Sequence, residues 1–380
     1  MKRRDITKDA SLVEQAVVAA FSAHGIPSYR SAREVADRLC LTPQSVTALL
    51  HAAWERGLFS IHLNLEAERA EQLELEEAVR VRYALDGVLL VPTSADIEEL
   101  GPRQDRSVRE QMVHAMAERV TEHLDALVRD TIGRRRDASQ AGRELAPLLL
   151  GVGRGPHMRP VADHVRCSRR RPRLAAFEVW PIVGMTGALN SRGDDASPIA
   201  TDIARAYGGV PGQLPCPAFV PPPEAALVVQ PRPVRQVIQR IRSCDAVIAG
   251  LGALPQSPEE TDATLASDAA LNAELLRIAR HAGAVGHVSS FLFDAEGRPP
   301  AMPYATIGIG LDGLRQMVKD GRRQVVLVAG GDERALAPLE VALRTGLASV
   351  LVSEAATARR LTGHQATGGD LPHPPSRGTP

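Results

Sequence analysis

The chain has no run of about 18 consecutive apolar residues, so nothing in it reads as a membrane-spanning helix. Its basic opening, MKRRDITKDA, has no apolar stretch behind it and does not read as a secretory signal. The four cysteines (Cys40, Cys167, Cys216 and Cys244) include no close pair. That argues against a zinc site and a disulfide framework and fits a reducing cytoplasm. Formal net charge is zero, so the chain as a whole is not a general polyanion binder. No Ser, His and acidic residue form a recognisable nucleophile motif, and no HExxH or paired-histidine spacing occurs. Neither metal nor cofactor is expected. Lysine is scarce beside arginine and alanine, which we read as genome composition rather than function.

What is present is 380 residues, 44% of them hydrophobic, enough for a sizeable core and for two or more domains. Near the N-terminus Leu12, Val13, Ala16, Val17 and Ala20 recur at helical spacing, and His24-Gly25 and Pro27 stop that helix. Ser31 and Glu34 form a capping-box pattern ahead of Val35, Ala36 and Leu39. Thr42 is placed to cap a third helix, with Pro43 at its first position, where a missing N–H costs nothing. Val46, Leu49, Leu50 and Ala53 supply its inner face, and Leu58–Leu63 alternates like a short strand or wing. The pattern is a winged helix-turn-helix. The third helix then offers Gln44, Ser45, Thr47, Ala48 and His51 outward, and Gln44 is suited to adenine. Thr42, Ser45 and Thr47 are candidates for bases or phosphates, while Arg33, Arg30 and the Lys2-Arg3-Arg4 arm are candidates for phosphates. Residues 1–62 carry eight basic against six acidic side chains, a weak footprint that oligomerisation would multiply. The competing reading is a winged helix that binds protein.

Residues 64–86 read as a connector helix able to pair with a partner chain, and 88–92 as a buried strand ended by proline. Residues 105–130 read as a long helix, and 133–143, GRRRDASQAGR, as a polar loop. Arg134–Arg136 and Arg169–Arg171 are expected in solvated loops. From 145 onward apolar strands at 148–153, 177–184, 245–252, 324–331 and 349–353 alternate with helices at 199–207, 232–243, 267–282 and 334–345. That alternation predicts an α/β fold with a Rossmann-like parallel sheet. Asp245, ahead of its strand, is either structural or faces a pocket. The last residues, rich in Gly, Pro and His, are expected to be disordered.

Six segments in order carry a family resemblance: GVGRGPHM (151–158), WPIVG (180–184) with IATDIARAYGG (199–209) and LPCPAFV (214–220), DAVIAGLG (245–252), GAVGHVSSFLFDAEGRP (283–299), IGIGLDGLRQM (307–317) and VVLVAGGDERALAPLEVALRTGLASVLVSEAATARRL (325–361). Over residues 12–362 the chain resembles the SorC/DeoR-type sugar-binding transcriptional regulators. The resemblance implies a winged helix-turn-helix over 1–63, a connector over 64–86, an effector domain of the sugar-phosphate isomerase/deaminase fold over 87–362, and a tail over 363–380. It implies operator DNA and a sugar or sugar phosphate as partners, no membrane, a homodimer or homotetramer, and no enzymatic activity. The effector site would draw on Gly153, Arg154, Gly155, His157, Gly184, Gly252, Asp294, Gly330, Gly331 and Arg334. Glycines let backbone N–H groups approach a ligand, a helix N-terminus favours an anion, and an arginine can clamp a phosphate. For any single loop the plainer reading is a tight strand-to-helix turn; Asp294, in DAEGRP, is first a turn residue. Departures from the family pattern are Pro156-His157 for its hydroxyl residue and arginine, Arg334 for a lysine, Ala48 for an arginine, and Ser197-Pro198 for an asparagine. Two rival readings remain: an isomerase- or deaminase-type enzyme on the same fold, and a constitutive DNA-binding protein that has lost its ligand.

Overall fold

The computed structural model describes residues 12, 16, 35–36, 39, 41–55, 67–91, 106–167, 171–187, 194–254, 265–266, 268–330 and 333–363. Contacts divide the chain into two compact units, Met1–Ala67 and Glu68–Pro380.

In the first unit, helix α1 spans Pro43–Glu55. Its start follows from Thr42, whose Oγ1 accepts the Ser45 N–H at 3.2 Å and shares a 2.9 Å hydroxyl contact with Ser45. Val46, Leu49, Ala52 and Ala53 are buried, joined by Ala16 in one small cluster and by Val35 and Ala36 in another. The expected wing at 58–63 lies outside the described residues.

The second unit opens with helix α2 (Ala67–Tyr83) and strand β1 (Gly87–Val91), followed by helix α3 (Arg106–Gln140). Then come β2 (Leu148–Val152), α4 (Met158–Cys167), β3 (Phe177–Pro181), α5 (Ala196–Tyr207) and β4 (Val210–Pro211). Next are β5 (Phe219–Val220), α6 (Pro222–Val229), α7 (Arg232–Arg242), β6 (Ala246–Ala253) and α8 (Ala269–His281). The chain continues through β7 (Gly286–Val288), β8 (Phe291–Phe293), β9 (Ala305–Thr306), α9 (Gly310–Asp320) and β10 (Gln324–Val328). A 3-10 turn at Glu333–Ala335, α10 (Leu336–Arg344), β11 (Val350–Glu354) and α11 (Ala355–Thr362) complete it.

The main sheet runs β1-β11-β10-β6-β2-β3-β4, with β7 and β8 added beyond β6. Every neighbouring pair along the main order is parallel, while β6–β7 and β7–β8 are antiparallel. Alternation along the strands sends Ala246 and Ile248 of β6 to one core and Val247, Ala249 and Leu251 to another. Helices α3, α4 and α5 cover the first face, and α2, α7, α9, α10 and α11 contribute to the second. Both faces are buried, which is why these strands read as continuous apolar runs.

Several expectations change. Helix α3 continues to Gln140, so 133–140 is helical rather than loop, and Arg134–Arg136 stand on a helix. Gly133 costs a helix about 1 kcal/mol relative to alanine. Against it, Ala138 is buried, Arg134 pairs with Asp130, and Arg135 donates to the carbonyls of Leu145 and Ala146. Arg171 is not solvated: its guanidinium pairs with Asp125 at 2.8 Å and donates to the carbonyls of Val165 and His164 at the end of α4. Those partners satisfy a charge that burial would otherwise penalise. Asp245 is structural, its carboxylate accepting the Leu149 N–H at 2.8 Å. Leu75 and Val79 of α2 are buried in the second unit's core, and Gln72 donates to the Leu90 carbonyl of β1. The expected tail beyond 363 lies outside the described residues. No helix among the described residues is long and apolar enough to cross a membrane.

Candidate functional site

Sheet order places the site. From β2 the chain adds β3 and β4 on one side, whereas β6, β10 and β11 are added on the other. The β2–β6 junction is therefore a topological switch point, where an open α/β sheet leaves a crevice outside the carboxyl ends of its strands.

The turn Gly153–His157 leaves β2 at this point and leads into α4. Gly153 is still tied to β6, donating its N–H to the Ile248 carbonyl at 2.8 Å. A Cβ there would lie 1.9 Å from the Ser289 Oγ, so only glycine fits. Gly155 donates to the Asp194 carbonyl, and its own carbonyl accepts the N–H groups of Met158 and Arg159, starting α4. His157 is half-buried against Gly250, with its Nε2 3.3 Å from the Gly330 carbonyl oxygen. Gly330 follows β10 with φ +148°, and a Cβ on it would strike the Glu354 carboxylate at the end of β11. Glu354 is buried and accepts the Thr357 hydroxyl.

Arg154 is 3% exposed. Its guanidinium donates to Asp195 at 3.3 Å, the Leu265 carbonyl at 3.2 Å and Ser290 Oγ at 3.4 Å. Desolvation lowers its pKa, and Asp195 opposes that. Asp195 also accepts the Thr186 hydroxyl. Ser289 and Ser290 form the two-residue turn between β7 and β8, with φ +45° and +78°. Both left-handed positions of such a hairpin turn normally take Asn or Gly. Here serine is held by the neighbours: Ser289 N–H donates to Gly250, Ser290 N–H to His287 Nδ1, and Ser290 Oγ to Leu265. Burial, then the nearby Arg154 and His157, push the His287 imidazole down to about 3, so it stays neutral. Among the described residues the buried Ser289 and Ser353 hydroxyls have no hydrogen-bond partner.

Of the residues singled out in the sequence, the structure brings Gly153, Arg154, Gly155, His157 and Gly330 together. Gly252 pairs with His287 across β6–β7, with its α-carbon close under the imidazole. Gly184 donates to the Ile307 carbonyl and packs on the Cys216–Ala218 backbone, which is a strand-crossing role. Asp294 accepts the N–H groups of Glu296 and Arg298 within its own turn. Partial desolvation of that carboxyl is outweighed by the Arg298 and Glu296 N–H groups, which hold it below the usual range. Arg334 stands half-buried in the 3-10 turn beyond Gly330, and Gly331 lies outside the described residues. Sequence reasoning missed Asp195, His287, Ser289, Ser290 and Glu354. The Ser-Ser pair between GHV and FLF was the available signal, since two apolar runs split by two residues read as a tight hairpin.

In the first unit Gln44 and Thr47 are exposed, Thr47 donating its hydroxyl to the Pro43 carbonyl at 3.1 Å. Thr42 and Ser45 are engaged in the helix cap. Arg33 and the His51 side chain lie outside the described residues.

A parallel α/β domain with glycine turns meeting at its switch point defines the class. Residues 143–362, more than half the chain, match the sugar-binding domain family Sugar-bind, and the chain belongs to that family. The transcriptional regulator LsrR of Klebsiella pneumoniae subsp. pneumoniae is 33% identical over 150 residues; the match takes in 38% of this chain and 44% of that regulator. Among solved structures, the full-length sorbitol operon regulator SorC from Klebsiella pneumoniae superposes with a TM-score of 0.57 at 16% identity, covering 95% of this chain and 100% of that one. A DeoR family transcriptional regulator from Listeria monocytogenes gives 0.54 at 18% identity, covering 77% and 98%. At these identities the likeness is one of fold. The resemblance to SorC/DeoR-type regulators read from the motifs is borne out.

Proposed function

We propose that this chain is a DNA-binding transcriptional regulator whose hold on its operator is changed by a sugar or sugar phosphate. The observation that carries the reading is the meeting of the Gly153–His157 turn with the Gly330 turn at the β2–β6 switch point, His157 Nε2 lying 3.3 Å from the Gly330 carbonyl oxygen, in a chain of the sugar-binding domain family. In this reading residues 1–63 form a winged helix-turn-helix, 64–86 a connector, 87–362 the effector domain and 363–380 a tail. The chain works as a homodimer or homotetramer. Gln44 is the chief base reader, because the Thr42 and Ser45 hydroxyls serve the cap and the Thr47 hydroxyl is turned to its own helix. Arg154 acts from beneath, holding the Ser290 turn and the Asp195 loop in place for a ligand bound above Gly153 and beside His157.

A tenfold change in operator affinity requires only about 1.4 kcal/mol of differential ligand binding between two arrangements. The test pairs a thermal-shift screen of sugars and sugar phosphates with fluorescence anisotropy on DNA from upstream of the gene. A ligand at one hundred times its Kd raises stability by about 2.7 kcal/mol. The expected result is a compound that raises the melting temperature and shifts DNA affinity at least several-fold. A compound set that does neither, with DNA binding intact, rejects the effector half of the reading.

A further inference from the structure

Helix α7, RPVRQVIQRIR, has four arginines and no acidic residue. Val234, Ile238 and Ile241 anchor one face of it in the core. Arg232, Arg235, Gln239 and Arg242 recur at i, i+3, i+7 and i+10 along one exposed flank beside it. The fourth arginine, Arg240, is spent on Glu178, with contacts of 2.9 and 2.6 Å. Beyond the helix end, Arg323 donates to the Arg242 carbonyl at 2.6 Å and pairs with Asp320. That contact brings the end of α9 and the turn after it, with exposed Lys319 and Arg322, up against α7. Arg232, Arg235, Arg242, Lys319 and Arg322 make no ion pair or side-chain hydrogen bond among the described residues. The carboxylates around them are already engaged: Glu178 by Arg240, Asp320 by Arg323, and Asp245 by the Leu149 N–H. The nearest acid before the helix is Glu224, eight residues ahead of Arg232.

We propose that this face of α7, with Lys319 and Arg322, is a second DNA-contacting surface that grips the phosphate backbone of duplex DNA without reading its sequence. The proposal rests on the DNA-binding reading above and adds a surface that lies outside the helix-turn-helix. Ten residues of helix between Arg232 and Arg242 span about 15 Å, the axial length of four to five phosphates on one strand. A bilayer surface fits poorly, because an interfacial helix needs a free apolar face and this one is occupied by the core. Single-stranded nucleic acid fits poorly as well, since α7 has no aromatic residue on which bases could stack.

The test uses the full chain and a random-sequence 40-base-pair duplex, with affinity measured between 50 and 200 mM salt. Each phosphate contact contributes about 0.9 to the slope of log affinity against log salt. Arg232→Gln, Arg235→Gln and Arg242→Gln combined should flatten that slope by about 2 to 3 and weaken binding at least tenfold at the low-salt end. The triple lysine variant should keep most of both, because charge alone serves a phosphate. An unchanged melting temperature in the glutamine variant ties any loss to the surface rather than to folding. If wild type binds and the glutamine variant shows the same slope and affinity, the second surface is refuted while the helix-turn-helix reading stands. If wild type fails to bind the duplex at 50 mM salt, both fall together.

Discussion

Helix α1 turns Gln44 outward and leaves it exposed, whereas at the β2–β6 junction Arg154, Asp195 and His287 are buried, Arg154 paired with Asp195 and His287 accepting the Ser290 backbone N–H. The two regions use polar groups for opposite ends. On α1 the exposed amide stays available to a partner and contributes little to folding. Around that junction Arg154, Asp195 and His287 are desolvated, so their hydrogen bonds are structural. A change on α1 should therefore alter binding without altering stability, and a change beneath the crevice should alter both.

The sharpest test of that contrast is Arg154→Met. It leaves the Asp195 carboxylate buried without its cation and should cost about 3 kcal/mol or more, read as a lower urea midpoint with little change in slope. A variant as stable as wild type would mean the arginine is not structural, and the comparison would collapse.

The next effect is one of pH. Because the His287 imidazole is held to about 3, the unfolded chain binds a proton there between about pH 6.5 and 3 while the folded chain does not. Stability from this group is complete above pH 6.5 and declines on acidification, by up to about 1.4 kcal/mol per pH unit. His287→Gln should unfold at a lower midpoint at pH 7 yet lose less stability between pH 6.5 and 5 than wild type does. Parallel stability curves would show that this histidine titrates normally.

Ser289→Gly relieves a left-handed serine and removes a buried hydroxyl with no partner among the described residues, against the extra chain entropy of glycine. The net expectation is a gain of about 1 kcal/mol, seen as a melting temperature a few degrees higher. A fall would indicate that the hydroxyl has a stabilising partner.

The smallest stability effect belongs to Gln44→Ala, within about 0.5 kcal/mol of wild type. Paired with Thr47→Ala, it should nonetheless abolish discrimination between operator and random DNA in an anisotropy titration. If it unfolds the unit or leaves discrimination intact, α1 is not the reader.

Much of this was legible in the residues. The strands β2, β6, β10 and β11 lie within a residue or two of their expected starts, since apolar runs between turn signals leave few alternatives. The cap at Thr42 is local chemistry and was read as such. Helix α3 overran its expected end because its last two turns are polar on most sides, and the contacts that hold them come from Leu145 and Ala146 beyond the helix. Asp294 and Arg154 show why site residues are harder. Both stood beside glycines in plausible turns, yet Asp294 is satisfied within four residues while Arg154 reaches across the unit.

The sequence by itself determined the alternation of strands and helices, the cap of α1 and the glycine turns, because each depends on neighbours within a turn or two. Only the tertiary structure decided that Arg154 is buried against Asp195, Leu265 and Ser290. Its partners are 41, 111 and 136 residues away, and no local pattern encodes a contact made by folding the sheet around its switch point.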